Sequence, residues 1–194
     1  MIDGIELDQA LLGSIATEPR LMPHLHLSLQ AGDDMSLKRM KRRHLRDGAI
    51  RFCEYVRTLR PDMVFGADLI AGFPTGNRSD VPAIAEPCRR LRPDLPARLS
   101  VQPAHWHPCR EDAQLPGPVI KDRAARLRAA GQPALSAHLT AQIGQRHRLL
   151  TEGPRLGRTA QFAEVSFDTD QPEGRLAWVH VTGTKDGRLT GIAA

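Results

Sequence analysis

Leucines alternate with polar residues along 24–30, His-Leu-His-Leu-Ser-Leu-Gln, which is the period of a strand with one apolar and one polar edge. If Leu25, Leu27 and Leu29 pack outward against helices, then His24, His26, Ser28 and Gln30 face a barrel axis or a pocket. The loop at 31–34 holds two aspartates, either able to cap a following helix. Leu45, Ala49, Phe52, Val56 and Leu59 then recur at steps of four, three, four and three, the clearest helical stripe in the chain, and Pro61 closes it. Residues 63–75 open on an apolar run carrying one acid, Asp68, and stop at Gly72-Phe73-Pro74. Such a run predicts a strand buried on both faces, as in a parallel sheet, where ligands gather at the carboxyl ends. Asp68 and Gly72 read either as a pocket wall or as a satisfied core acid and an ordinary turn; spacing does not separate the two. Strand, helix and strand together predict a right-handed βα-type unit, preceded by a helix over 6–16 that Pro19 or Pro23 ends.

After the breaker Leu-Pro-Gly-Pro at 115–118, a basic helix is expected from 119 to about 131. Leu135, Leu139 and Ile143, spaced by four, continue a second helical stretch beyond Pro133. From Gly144 the pattern changes to short strands at 145–152, 157–167, 176–182 and 187–192, separated by Gly- and Asp-rich turns, and predicts a small β-barrel. Phe162, Phe167 and Trp178 are assigned to its core, because the chain has only two Trp, one Tyr and five Phe.

Between these halves, residues 76–113 keep neither period. Six prolines and six arginines fall there, and Val81, Ile84 and Val101 are the only β-branched residues. So long a structureless connection is unusual inside a compact domain. His105, His107 and Cys109 with Cys88 suggest a metal site, but nothing around them is patterned to hold ligands rigidly, and no metal ligand is assigned. A change of reading frame accounts for the texture better. Codons can be chosen for 76–82 that give Glu-Thr-Glu-Ala-Met-Phe one nucleotide later, and for 106–113 that give Gly-Thr-Pro-Ala-Ala-Arg-Met. A poorly ordered, frame-shifted segment is the expectation for 76–113.

Composition narrows the class. Of 194 residues, 41% are hydrophobic and 25% charged, as in globular proteins. No apolar run approaches the roughly 20 residues of a membrane span. Three cysteines form no disulfide framework and the first residues carry no apolar export core, so a cytoplasmic location is expected. The net charge of +5 is uneven: basic and acidic residues balance over 1–75, whereas 114–194 is basic. That excess suits a polyanion such as RNA, as does the cluster Lys38, Arg39, Lys41, Arg42, Arg43 and His44; both suit a solvated surface as well, and the cluster also a nuclear-import signal.

Residues 24–33, 37–42 and 68–74, in this order and spacing, closely resemble the radical-SAM tRNA methylthiotransferases, above all the branch acting on threonylcarbamoyladenosine beside the anticodon. Residues 144–152 and the closing strand resemble the TRAM module of the same family. The resemblance implies an α/β partial (TIM-like) radical-SAM barrel over 1–75, connecting helices over 114–143, and a small all-β TRAM (OB-like) barrel over 144–194. It implies that Ser28, Gln30, Asp68, Gly72 and Phe73 line an S-adenosylmethionine pocket. Lys38, Arg39, Lys41 and Arg42, with Arg146, Arg148, Arg155 and Arg158, would hold tRNA. The family replaces an adenine C–H by a methylthio group using 4Fe-4S clusters, one of them held by cysteines spaced C-x3-C-x2-C. No such triplet occurs here, and Cys53 on the helical stripe reads as a small buried apolar residue. The chain therefore reads as the carboxyl-terminal part of the enzyme, with no catalytic residue of its own, incompetent alone, and completed by an amino-terminal half encoded upstream. A non-catalytic RNA-binding module and a pseudogene product are the alternatives.

Overall fold

A computed structural model describes residues 8–73 and 115–193. The expectations for 76–113, including the frame change, the low order and the histidine–cysteine cluster, lie outside the described residues.

Asp8 starts helix α1 (Gln9–Thr17) by accepting a hydrogen bond from the Leu11 amide at 2.8 Å. Strand β1 (His24–Gln30) has the expected bounds, with Leu25, Leu27 and Leu29 buried. Asp33 then caps helix α2 (Asp34–Arg39) through the Ser36 amide at 2.7 Å. Helix α3 (Arg46–Leu59) leads into strand β2 (Val64–Leu69), which runs parallel to β1 with Leu25 opposite Phe65 and Leu27 opposite Ala67. Ile15, the three β1 leucines, Ala49, Ile50, Cys53, Val56 and Phe65 form one core. Cys53 is fully enclosed, as expected of a small apolar residue. Two sequence expectations shift. Leu45 lies outside α3 as its N-cap and is 43% exposed. His44 turns inward, its Nε2 lying 3.3 Å from the Leu29 carbonyl, so it leaves the basic surface for the interior.

Helix α4 (Gly117–Ala141) runs unbroken through Pro133, correcting the expectation of two helices. Interior proline costs roughly 3 kcal/mol. Leu135 and Leu139, beyond the proline, are both buried, and each contributes about 1.5–3 kcal/mol, enough to offset that cost. The helix is also shared: Ala124 and Leu127 join the α/β core, while Leu135 and Leu139 join the core of the barrel. It works as a beam across both units.

Strands β3 (Arg146–Gly153), β4 (Leu156–Thr159), β5 (Glu164–Phe167), β6 (Leu176–Lys185) and β7 (Arg188–Ala193) close in the order β3-β4-β5-β7-β6. All pairings are antiparallel except β5 with β7. Leu149, Val165, Phe167, Val179, Val181 and Leu189 fill the interior. At Gly191 a Cβ would overlap Val179, which is why only glycine suits that rung. Asp186 (φ 51°) and Gly187 (φ 75°) make the two-residue turn between β6 and β7, whose twist requires both positive angles. The closed five-stranded barrel agrees with the TRAM-like, OB-like expectation. The strand expected over 157–167 is in fact two, because the chain turns at 160–163 with Phe162 at φ 71°. Phe167 is buried as expected, but Phe162 and Trp178 are 45% and 49% exposed and belong to the surface, not the core.

Among the described residues the α/β sheet has two strands. No helix among them is long and apolar enough to cross a membrane.

Candidate nucleic-acid interface

Alternation on β3 and β6 turns one set of side chains into the barrel and the other to solvent. Val179 and Val181 point in, so Leu176, Trp178 and His180 point out; Leu149 and Thr151 point in, so Arg146, Arg148 and Leu150 point out. The ladder sets Arg146 opposite His180, Arg148 opposite Trp178 and Leu150 opposite Leu176. The Arg146 guanidinium carbon lies 5.5 Å from the centroid of the Trp178 ring, a cation–π arrangement. Neither Arg146 nor Arg148 forms an ion pair among the described residues. Two cations beside an exposed indole are the elements of a single-strand RNA platform, one set for phosphates and one for a base.

The other two barrel arginines expected to hold tRNA, Arg155 and Arg158, are engaged elsewhere. Arg155 Nε lies 2.6 Å from Asp170, and that hydrogen bond raises its pKa. Arg158 reaches Glu152 at 2.9 Å and Glu164 at 3.2 Å, and its pKa is raised chiefly by the Glu152 bond against the opposing effect of burial. Its guanidinium also lies 4.3 Å from the Phe162 centroid. Arg158 therefore braces the β4–β5 corner.

That corner meets the α/β unit. The His24 ring stacks on Phe162 at 4.7 Å and 3°. Burial, with the nearby His26 and Arg158 charges, pushes the His24 pKa down to about 4, so the ring is neutral at neutral pH. His26 Nε2 lies 3.1 Å from Asp68, giving that acid a partner inside the chain. A Cβ at Gly66 would lie 2.8 Å from His26 and 3.3 Å from His24, so glycine is what lets both imidazoles lie across β2. A cavity of about 300 Å³ opens between these residues, α4 and the barrel.

None of the expected cofactor residues lines that cavity. Ser28 is buried and accepts a hydrogen bond from Gln30 Nε2 at 2.6 Å, so these two meet. Gly72 packs under Ile120, and Phe73 packs with Ala31, Leu37 and Met40. On the basic segment, Lys38, Arg39 and Lys41 are exposed and Arg42 is half-buried, away from both described cavities. Among the described residues no group of three His, Cys, Asp or Glu side chains is placed to hold a metal ion. Sequence reasoning turned His24 and His26 toward a pocket, and both line the cavity of about 300 Å³, but it missed Phe162 and Trp178 as junction and surface groups. For Trp178 the inward Val179 and Val181 carried the signal; for Phe162 no periodic signal exists, because it sits in a turn.

No protein-family model matches the chain. Over 192 residues, 97% of the chain and 45% of the relative, it is 38% identical to the threonylcarbamoyladenosine tRNA methylthiotransferase MtaB of Rickettsia prowazekii. It is 30% identical over 211 residues to a tRNA-2-methylthio-N(6)-dimethylallyladenosine synthase of Anaeromyxobacter sp., again covering 97% of the chain and 45% of the relative. A synthase of the same name from Cereibacter sphaeroides is 29% identical over 188 residues, 93% of the chain and 43% of the relative. The chain spans less than half the length of these curated relatives.

Proposed function

By sequence the chain belongs to the radical-SAM tRNA methylthiotransferase family, and on that premise we propose that it is the tRNA-holding part of such an enzyme, acting on threonylcarbamoyladenosine beside the anticodon. The observation that carries the RNA side of this reading is the outer barrel face, where Arg146 lies over the exposed Trp178 and Arg148 stands opposite it. In this reading Arg146 and Arg148 take phosphates and Trp178 takes a base, while Lys38, Arg39, Lys41 and Arg42 supply a second basic contact. Ser28, Gln30, Asp68, Gly72 and Phe73 form one wall of the S-adenosylmethionine pocket, in a larger radical-SAM barrel of which β1 and β2 are two strands. The sequence carries no C-x3-C-x2-C triplet, so in this reading the clusters are held by other residues of the enzyme, the chain does not catalyse alone, and cytoplasmic tRNA is its partner.

Binding of an anticodon stem-loop RNA to the full 194-residue chain, followed across salt concentration, tests the RNA part. Each lost phosphate contact should reduce the slope of log affinity against log salt by about 0.7–0.9, so replacing Arg146 and Arg148 together by alanine should reduce it by about 1.5. Wild-type binding that is absent or insensitive to salt would overturn the reading. Anaerobic reconstitution with iron and sulfide tests the rest: a redox-active cluster on this chain would show that it holds its own ligands.

A second reading, a purely RNA-binding module, is favoured by the closed barrel, which needs no neighbour to satisfy its strand edges. RNA binding without measurable S-adenosylmethionine affinity selects it.

A further inference from the structure

Four exposed large hydrophobic side chains, Met22, Leu150, Phe162 and Leu176, line one cleft of about 470 Å³ where the segment before β1 meets the β3–β6 side of the barrel. Exposed leucines scattered singly need no explanation, but a contiguous apolar group with charged residues at its edge marks a binding groove. We propose that this cleft seats one unstacked base of an RNA loop, at a subsite separate from the nucleotide that is modified. The inference rests on the tRNA reading above and extends it to a second point of contact.

Two observations select a nucleotide as the occupant. The first is the ladder. Leu150 and Leu176 are cross-strand partners, and the next outward rung is Arg148 with Trp178. Successive outward rungs are about 7 Å apart, so an extended strand following the ladder meets an apolar step and then an indole with a cation beside it. The second is the distribution of charge. At the inner end Arg158 is neutralised by Glu152 and Glu164, so that end offers no net positive charge to a phosphate. At the outer end Arg148 has no ion-pair partner among the described residues. A ligand with an aromatic, weakly polar head and an anion behind it fits this polarity: base inward, phosphate outward. Phe162, fixed by His24 on one side of the junction and by Arg158, supplies the aromatic wall.

The test uses the full chain, an anticodon stem-loop RNA, and the same RNA made abasic at one loop position at a time. For the wild type, one abasic position should weaken binding by about 10-fold or more, the usual effect of losing one stacked base. The L150S/L176S variant replaces two exposed side chains, so its fold, checked by circular dichroism, should be unchanged. It should bind intact RNA about as weakly as the wild type binds that abasic RNA, and should lose the distinction between the two while keeping the salt slope. Arg148→Ala should do the reverse, lowering the slope by about 0.7–0.9. If the wild type binds RNA but no abasic position matters, or if L150S/L176S binds both RNAs as the wild type does, the cleft proposal falls and the tRNA reading stands. If the wild type binds no RNA, both fall. If L150S/L176S instead abolishes self-association in sedimentation, or binding to anionic phosphatidylserine vesicles, with RNA binding intact, the cleft belongs to a second copy or a membrane surface and the proposal is overturned.

Discussion

In the barrel every strand is bonded on both sides, β3 to β4 and β6, β5 to β4 and β7, so no sheet edge is left over. In the α/β unit β1 pairs with β2 alone among the described residues. The difference extends to the faces. The barrel puts its apolar alternation inward and its arginines and indole outward, and its core is completed by Leu135 and Leu139 of α4 and Val64 of β2. The α/β unit completes only one face, where α1 and α3 cover the leucines. Its other face carries His24, His26, Gly66 and Asp68 and is met by the Phe162 corner of the barrel. A closed sheet can be stable by itself, whereas an open parallel pair relies on what is laid against it. In the function proposed above, RNA recognition falls to the unit with the closed sheet and the cofactor wall to the unit with the open one.

The sharpest way to break this comparison is to destabilise one unit and watch the other. Leu149 is 1% exposed in the barrel interior, so Leu149→Ala should lower stability by about 2–5 kcal/mol. Hydrogen exchange should then show protection lost in β3 to β7 and kept in β1 and β2. Equal loss in both would mean that α4, packed on both cores, joins them into one cooperative unit.

A smaller effect is expected from Thr151→Val. The Thr151 hydroxyl donates to the Pro172 carbonyl and accepts from the Arg175 amide at 2.9 Å, holding the loop before β6 to β3. Valine keeps the volume but strands both partners, at about 1–3 kcal/mol. Urea midpoints should fall with the m-value unchanged; a stability equal to wild type would show that water replaces the hydroxyl.

Acid should probe the junction next. His24 is neutral in the fold with a pKa near 4, against 6.5 when unfolded, so the unfolded chain takes up the proton first. Its contribution is complete above pH 6.5 and is lost as the pH falls toward 4. The slope is at most about 1.4 kcal/mol per pH unit, less because the ring keeps some solvent access. His147, whose pKa burial also lowers, acts in the same direction from within the barrel. His24→Gln should flatten the stability profile between pH 6.5 and 4 more than His147→Gln does. Equal flattening would remove the junction from the account.

The pattern of the chain revealed β1 and α3 because each carries one period, and β2 because it is a continuous apolar run; it ended β6 at 182, three residues early, because Gly183 reads as a turn residue although the strand runs on to Lys185. It failed where two periods overlap or none applies. Leu176-Ala-Trp-Val-His-Val is apolar in both phases of a strand, so Trp178 passes for core until Val179 and Val181 are seen to fill it. Pro133 reads as a helix end because sequence shows the lost hydrogen bond but not the two cores that hold α4 straight. The pairings of the arginines were equally hidden. Arg146 and Arg158 look alike in the sequence, yet one lies against an indole and the other between two glutamates.

That last contrast gives the smallest and most discriminating prediction. Arg146 and Arg155 are both exposed barrel arginines, and a count of positive charge treats them as equivalent. Arg155 already spends its charge on Asp170, and a phosphate would have to displace that carboxylate before gaining anything. Arg146 would lose only a cation–π contact with Trp178, and the indole would then be free to stack on a base. Arg146→Ala should therefore lower the salt slope of RNA binding by about 0.7–0.9, whereas Arg155→Ala should leave it within error of wild type. Because Asp170 is what occupies Arg155, Asp170→Asn should raise RNA affinity in the wild-type background and not in the Arg155→Ala background. If both alanine variants reduce the slope equally, RNA reads total charge over the barrel and the ordered β3–β6 face has no privileged role.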